Sequence, residues 1–176
     1  MYKLSKSVAA CFYVLAFSVA APAAPKSPPK FDTPAQAFLS KWHLDKKKTQ
    51  NVAGAPGNLM QELKMKDGKL LVKSQYDQPQ DGIYPLIWLG IMVEEFTLNP
   101  DGSENVNDIG PFRHVGKTTV NGNTMTTDWN ATIENGTVAG QWVRTLSANG
   151  KEMTLQVTGK ASDGRTVDST LVFQKK

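Results

Sequence analysis

The chain is poor in the side chains that usually carry chemistry: its 176 residues include one cysteine and two histidines. Cys11 lies in an N-terminal apolar stretch that we expect to be removed, which would leave no thiol for a disulfide, a metal site or a nucleophile. His43 and His114 are far apart, and neither has a second ligand at HxH or HxxxH spacing. The sequence therefore predicts no metal, no cofactor and no catalytic residue, and we interpret the protein as a non-enzyme.

A strong excess of one charge sign is also missing. The chain has 20 basic and 16 acidic residues, a net charge of +4. Removing Lys3 and Lys6 with an N-terminal leader would reduce the basic count to 18. Such a balance is too even for a nucleic-acid footprint without a concentrated patch, so no nucleic-acid partner is predicted.

The N-terminus has the pattern of an export signal. Lys3 and Lys6 precede an apolar stretch over residues 7–20, and the small residues that follow favour cleavage after Ala20 or Ala23. Residues 1–20 are thus a predicted signal peptide, and the mature protein is expected to be periplasmic or secreted. No transmembrane span is expected after the signal is removed.

Residues 21–34 are rich in proline, which favours an extended spacer over packed structure. Asp32 or Thr33 can cap a helix that begins at Pro34, and residues 35–41 are good helix formers. The sequence predicts a short N-terminal helix here. Residues 35–176 are then expected to form one barrel domain.

The rest of the chain is divided by dipeptides typical of tight hairpin turns. Their glycines are separated by steps of 14 or 20 residues, and a step of 14 fits one strand and one turn. Seven turns predict an all-β fold, a single eight-stranded up-and-down antiparallel barrel with room for up to ten strands, and an open curved sheet is the alternative. The dipeptides are Asp67-Gly68, Asp81-Gly82, Asp101-Gly102, Asn121-Gly122, Asn135-Gly136, Asn149-Gly150 and Asp163-Gly164.

Alternation along the predicted strands separates an inner from an outer face. The alternate positions are mostly Lys, Glu, Thr, Asp and Gln, a polar exterior that argues against a lipid-facing membrane barrel. The apolar, inward set is Leu59, Leu63, Met65, Leu70, Val72, Tyr76, Met125, Trp129, Ile133, Val138, Trp142, Leu146, Met153, Leu155, Val157, Val167, Leu171 and Phe173.

Two stretches carry a family resemblance. Lys41-Trp42-His43-Leu44-Asp45 resembles the G-x-W-x-L opening strand of lipocalin-like barrels, with Ser40-Lys41 at the Gly-x position. Residues 118–176, which end in LSANGKEMTLQVTGKASDGRTVDSTLVFQKK, resemble small exported bacterial proteins built as lipocalin-like, calycin-type barrels. The resemblance implies that fold and at most a binding role, because the family is largely without an assigned activity.

Residues 83–93, IYPLIWLGIMV, form the longest apolar run after the leader. Pro85 and Gly90 within it favour a strand broken by a bend, since a half-exposed strand would alternate. One interpretation is core packed under the N-terminal helix. The other is an apolar portal or lid that contacts a ligand, a membrane surface or a partner.

Polar side chains interrupt the apolar rows at Gln61, Glu94 and Arg144. A charge inside a barrel needs a partner, because an unpaired ion in a low dielectric costs several kcal/mol. Arg144 has two competing interpretations. It either closes the barrel by pairing with Glu94 or stacking on Trp42, or it receives the carboxylate of an acyl ligand whose tail lies along Trp129, Trp142 and Phe173.

Two functions follow from these patterns. The first is an exported, non-enzymatic protein that holds a small apolar or amphipathic ligand inside the barrel. The alternative is a structural or interaction module of the cell envelope with a filled barrel, which docks a partner protein through residues 83–93. The predicted ligand-binding residues are Tyr76, Trp88, Trp129, Trp142, Arg144, Leu155 and Phe173.

Overall fold

A computed structural model of the chain describes residues 34–50, 58–77, 95–109, 112–133 and 136–176. By its internal contacts the chain divides into residues 1–31 and residues 32–176, and all described residues belong to the second unit. The predicted signal peptide, nearly all of the spacer, residues 83–93 and Glu94 lie outside the described residues.

The described residues form an all-β, antiparallel, nearly closed barrel of ten strands in the order β4-β3-β2-β1-β10-β9-β8-β7-β6-β5. Strands that are consecutive in the sequence lie side by side, and the first strand, β1, also pairs with the last, β10. This confirms an up-and-down antiparallel barrel, the class that includes lipocalins. The strands are β1 Ser40–Leu44, β2 Met60–Lys66, β3 Lys69–Gln75, β4 Glu95–Leu98, β5 Asp101–Ile109, β6 Phe112–Asn121, β7 Thr124–Ile133, β8 Gly136–Leu146, β9 Glu152–Ala161 and β10 Thr166–Lys175.

The two edges of the sheet, β4 and β5, meet without a backbone ladder. Two side-chain amides of β5 join them instead. Asn107 Oδ1 accepts a hydrogen bond from the Thr97 amide at 2.9 Å, and Asn107 Nδ2 donates to the Thr97 carbonyl at 3.0 Å. Asn105 Nδ2 donates to the same carbonyl at 2.6 Å. We call this contact, formed by Thr97, Asn105 and Asn107, the β4–β5 seam.

The number of strands is ten, at the upper end of the predicted range instead of its central value of eight. One added strand is β1, and the other comes from the 20-residue step between Gly102 and Gly122, which holds both β5 and β6. Ile109 at the end of β5 pairs with Phe112 at the start of β6. The Gly110-Pro111 dipeptide between them is itself a turn signal, and the glycine spacing alone missed it.

The N-terminal helix was predicted too long. It is one 3₁₀ turn, Pro34–Phe38, and β1 begins at Ser40, inside the stretch expected to be helical. Burial explains the early end, because Phe38 and Trp42 are both fully buried and the Trp42 indole Nε1 donates to the Phe38 carbonyl at 2.9 Å. Packing of these two aromatic side chains overrides the helix propensity of residues 39–41.

The predicted alternation is confirmed for the described positions whose burial the structure gives. Most of the inward set is buried, and Met65, Tyr76 and Val167 are partly buried and packed against the same core. On the outside, Val106 is the one large hydrophobic side chain that is exposed among the described residues. The strands therefore place a continuous core inside the barrel and polar side chains outside it.

Candidate ligand site inside the barrel

Trp129 lies across a row of glycines in the middle of the barrel wall. In the register of β6 to β9, it pairs with Gly116 on one side and Gly140 on the other, and Gly140 pairs with Gly159. A Cβ added at Gly140 would overlap the Thr158 carbonyl oxygen and lie 2.9 Å from the Trp129 ring. The missing side chains of Gly140 and Gly159 leave the space that the buried indole of Trp129 occupies.

Four aromatic rings meet inside the barrel, and we call Phe96, His114, Trp129 and Trp142 the aromatic cluster. The His114 ring stacks on Trp142 with centroids 5.0 Å apart and an angle of 8°. Trp129 lies 5.4 Å from Trp142 and 6.0 Å from His114, and Phe96 lies 5.8 Å from Trp142. These separations are those of favourable aromatic contacts.

Arg144 lies beside this cluster and is fully buried. Its guanidinium carbon is 5.7 Å from the centroid of the Trp142 ring, a cation–π distance. Its partners in the register are Met125 and Leu155, and both of these are fully buried. The residues on either side of Arg144 in the sheet are therefore apolar, and its guanidinium contacts an indole.

No charge or acceptor compensates Arg144 among the described residues. Its Nε and both terminal nitrogens are buried without a hydrogen-bond partner there. Burial lowers the pKa of Arg144 to about 10, so the group is still a cation at neutral pH. A buried cation in this condition is expensive, because each desolvated ion costs several kcal/mol.

The expected stacking of Arg144 on Trp42 is wrong. The cation over Trp42 is Lys175, whose Nζ lies 5.7 Å from the ring centroid, because Trp42 and Lys175 pair in the β1–β10 register. The other structural interpretation of Arg144, an ion pair with Glu94, lies outside the described residues.

His114 belongs to this site although no role was predicted for it. It is 3% exposed, and burial lowers its pKa to about 4. The imidazole is therefore neutral at neutral pH. Neither of its nitrogens has a hydrogen-bond partner among the described residues. Alternation along β6 turns His114, Gly116 and Thr118 inward, and this parity was the signal that could have found it.

The structure brings several of the predicted ligand-binding residues together. Trp129 and Arg144 each contact the ring of Trp142, and Leu155 pairs with Arg144. Phe173 is fully buried in the same core, and Tyr76 is a partly buried neighbour of it. Trp88 lies outside the described residues.

In the described stretches of the chain, no group of three or more His, Cys, Asp or Glu side chains could hold a metal ion. Within the same stretches, none of the helical structure is long and apolar enough to cross a membrane.

No family model matches the chain, and no curated protein matches it. These comparisons therefore do not support a bacterial family. Solved structures that the chain matches include two secretory abundant heat soluble (SAHS) proteins from Ramazzottius varieornatus. One is 12% identical over 80% of this chain and 96% of its own, with a TM-score of 0.48. The other, SAHS protein 4, is 14% identical over 80% and 95%, with a TM-score of 0.46.

Proposed function

We propose that this protein is an exported, non-enzymatic barrel that binds a small amphipathic molecule in its interior, with the anionic head of that molecule on Arg144. The observation that carries the proposal is the fully buried guanidinium without a partner among the described residues. A carboxylate satisfies such a group well, since the planar guanidinium offers paired donors that match its two oxygens.

The surroundings of Arg144 suit the rest of such a ligand. Trp129, Trp142 and Leu155 are apolar surfaces within the same core, and Phe173 extends that core. Binding sites for small molecules are typically apolar with a few convergent polar groups, and this interior has that composition. The export part of the proposal rests on the N-terminal pattern of residues 1–20.

The first experiment is native mass spectrometry of the protein purified from its exported compartment, followed by denaturation and extraction. The expected result is a released small molecule that carries a carboxylate. A clean apo mass alone does not end the proposal, so the protein is then titrated with dodecanoate and with dodecanol, its uncharged counterpart. Failure to bind either one, by a folded protein, would favour the filled barrel of the alternative function.

Arg144→Met tests the role of the guanidinium. Methionine keeps much of the side-chain volume and removes the charge, so the variant is expected to fold, with a free energy of unfolding raised by about 2 kcal/mol. Dodecanoate should bind at least tenfold more weakly, because a charge-assisted pair is lost, whereas dodecanol binding should change little. Arg165→Met is the matched control, since Arg165 is exposed and pairs with Asp163.

Unfolding of Arg144→Met in the absence of ligand would instead assign the residue to the structure of the barrel. Equal loss of dodecanoate and dodecanol binding would also contradict a headgroup role.

A further inference from the structure

A carboxylate on Arg144 leaves other buried nitrogens of the site without partners. Both ring nitrogens of His114 and the Nε1 atoms of Trp129 and Trp142 have no hydrogen-bond partner among the described residues. The three side chains are 3%, 5% and 0% exposed, so water from outside the barrel does not reach them freely. Buried polar atoms are usually satisfied, and a group of four around one ring stack is unusual.

The kinds of nitrogen present define the chemistry that would satisfy them. An indole N–H only donates, whereas a neutral imidazole has one donor and one acceptor. Burial lowers the pKa of His114 to about 4, so its imidazole is neutral at ordinary pH. A ligand carbonyl could accept a hydrogen bond from an indole or imidazole N–H. It has no hydrogen to donate to the unprotonated imidazole nitrogen. A hydroxyl group both donates and accepts, and it can satisfy His114 and an indole together.

The position of Trp142 connects this second set of nitrogens to Arg144. The guanidinium lies 5.7 Å from the centroid of the Trp142 ring, and the imidazole of His114 lies 5.0 Å from the same centroid. Both polar groups therefore contact one indole.

We infer that the ligand is a hydroxylated carboxylate, whose carboxylate binds Arg144 and whose hydroxyl group is bound by His114 and the indole N–H of Trp129. This inference rests on the proposed function and adds the second recognition group. It distinguishes a hydroxy acid from a plain acyl chain, which would leave His114 and both indoles unsatisfied.

The test is a calorimetric titration with dodecanoate and with monohydroxydodecanoates that carry the hydroxyl group at successive carbons. We expect at least one isomer to bind about tenfold more tightly than dodecanoate, as one or two buried hydrogen bonds would produce. His114→Phe keeps a ring against Trp142 and should abolish this preference, measured for the variant itself as the ratio of its affinities for the hydroxylated isomer and for dodecanoate. His43→Phe is the matched control, because His43 lies in β1 and outside the aromatic cluster.

Trp129→Phe provides a second variant that does not depend on the folding of His114→Phe. It removes one donor and should reduce the preference for the hydroxylated isomer about threefold. If wild type binds dodecanoate but prefers no isomer, or if the preference survives both substitutions, the inference is overturned and the proposed function stands. If wild type binds no member of the series, the proposed function itself fails.

Discussion

The two sides of this barrel are closed in different ways. From β6 to β10 the strands are ten or eleven residues long and pair along nearly their whole lengths. At the β4–β5 seam, a four-residue strand meets its neighbour through the side chains of Asn105 and Asn107. The long strands use hydrogen bonds that every residue provides, whereas the seam depends on two particular side chains. Substitutions should therefore affect the two regions for different reasons.

The largest expected effect lies within the long strands, at a glycine whose missing side chain is needed for packing. Gly140→Ala should lower the free energy of unfolding by about 4 kcal/mol, because its Cβ would overlap the Thr158 carbonyl oxygen and the Trp129 ring. Chemical denaturation measures the loss. Gly159→Ala is the matched control, since its nearest neighbour would be 3.3 Å away, and about 1 kcal/mol is expected. Equal costs would show that the glycine row is not fitted to Trp129.

The next effect is a pH dependence at His114, which pairs with Asn107 of the seam. The pKa of His114 is lowered from 6.5 to about 4 in the folded protein by burial. Below pH 6.5 the His114 imidazole is therefore protonated in the unfolded chain but stays neutral in the folded chain. The free energy of unfolding falls as the pH falls towards 4. The loss in free energy of unfolding approaches roughly 3 kcal/mol at about pH 4. Denaturation at several pH values should show this slope in wild type and a shallower one in His114→Phe, where His43, whose pKa is also lowered by burial, still contributes.

The seam itself is tested by Asn107→Ala. The substitution leaves the Thr97 amide without its 2.9 Å partner, and a loss of about 1.5 kcal/mol is expected. Hydrogen exchange of the Thr97 amide should become faster by about tenfold. Asn123→Ala removes an amide that donates to the Leu146 carbonyl at 2.9 Å, where the backbone bond from Leu146 N to Asn123 O remains. If Asn123→Ala costs as much as Asn107→Ala, the seam is no more dependent on side chains than the long strands.

The smallest effect concerns an ion pair on the outer surface. Lys48 Nζ lies 2.6 Å from Glu152 Oε2, and Gln174 Nε2 donates to the same oxygen at 2.8 Å. The Lys48 hydrogen bond and charge lower the pKa of Glu152. Lys48→Gln should lower the melting temperature slightly at low salt, and the difference should vanish at about 1 M salt. A difference that persists at high salt would mean that Lys48 contributes through packing.

Alternation and turn dipeptides were enough to predict the class of fold and its inner face. A strand has a period of two, so Trp129, Trp142 and Arg144 were assigned to the interior without any knowledge of their neighbours. Asp67-Gly68 and Asn121-Gly122 were recognised as turns because their backbone needs a positive φ, and both glycines have one, 78° and 57°. These properties are local, and the sequence alone determined them.

The composition of the site was decided by the tertiary structure. Which cation covers Trp42 depends on the β1–β10 register, and that register places Lys175 there. The stacking of His114 on Trp142 joins β6 to β8 across an intervening strand. Such contacts follow from the curvature and register of the closed barrel, and the period of a single strand contains no information about either.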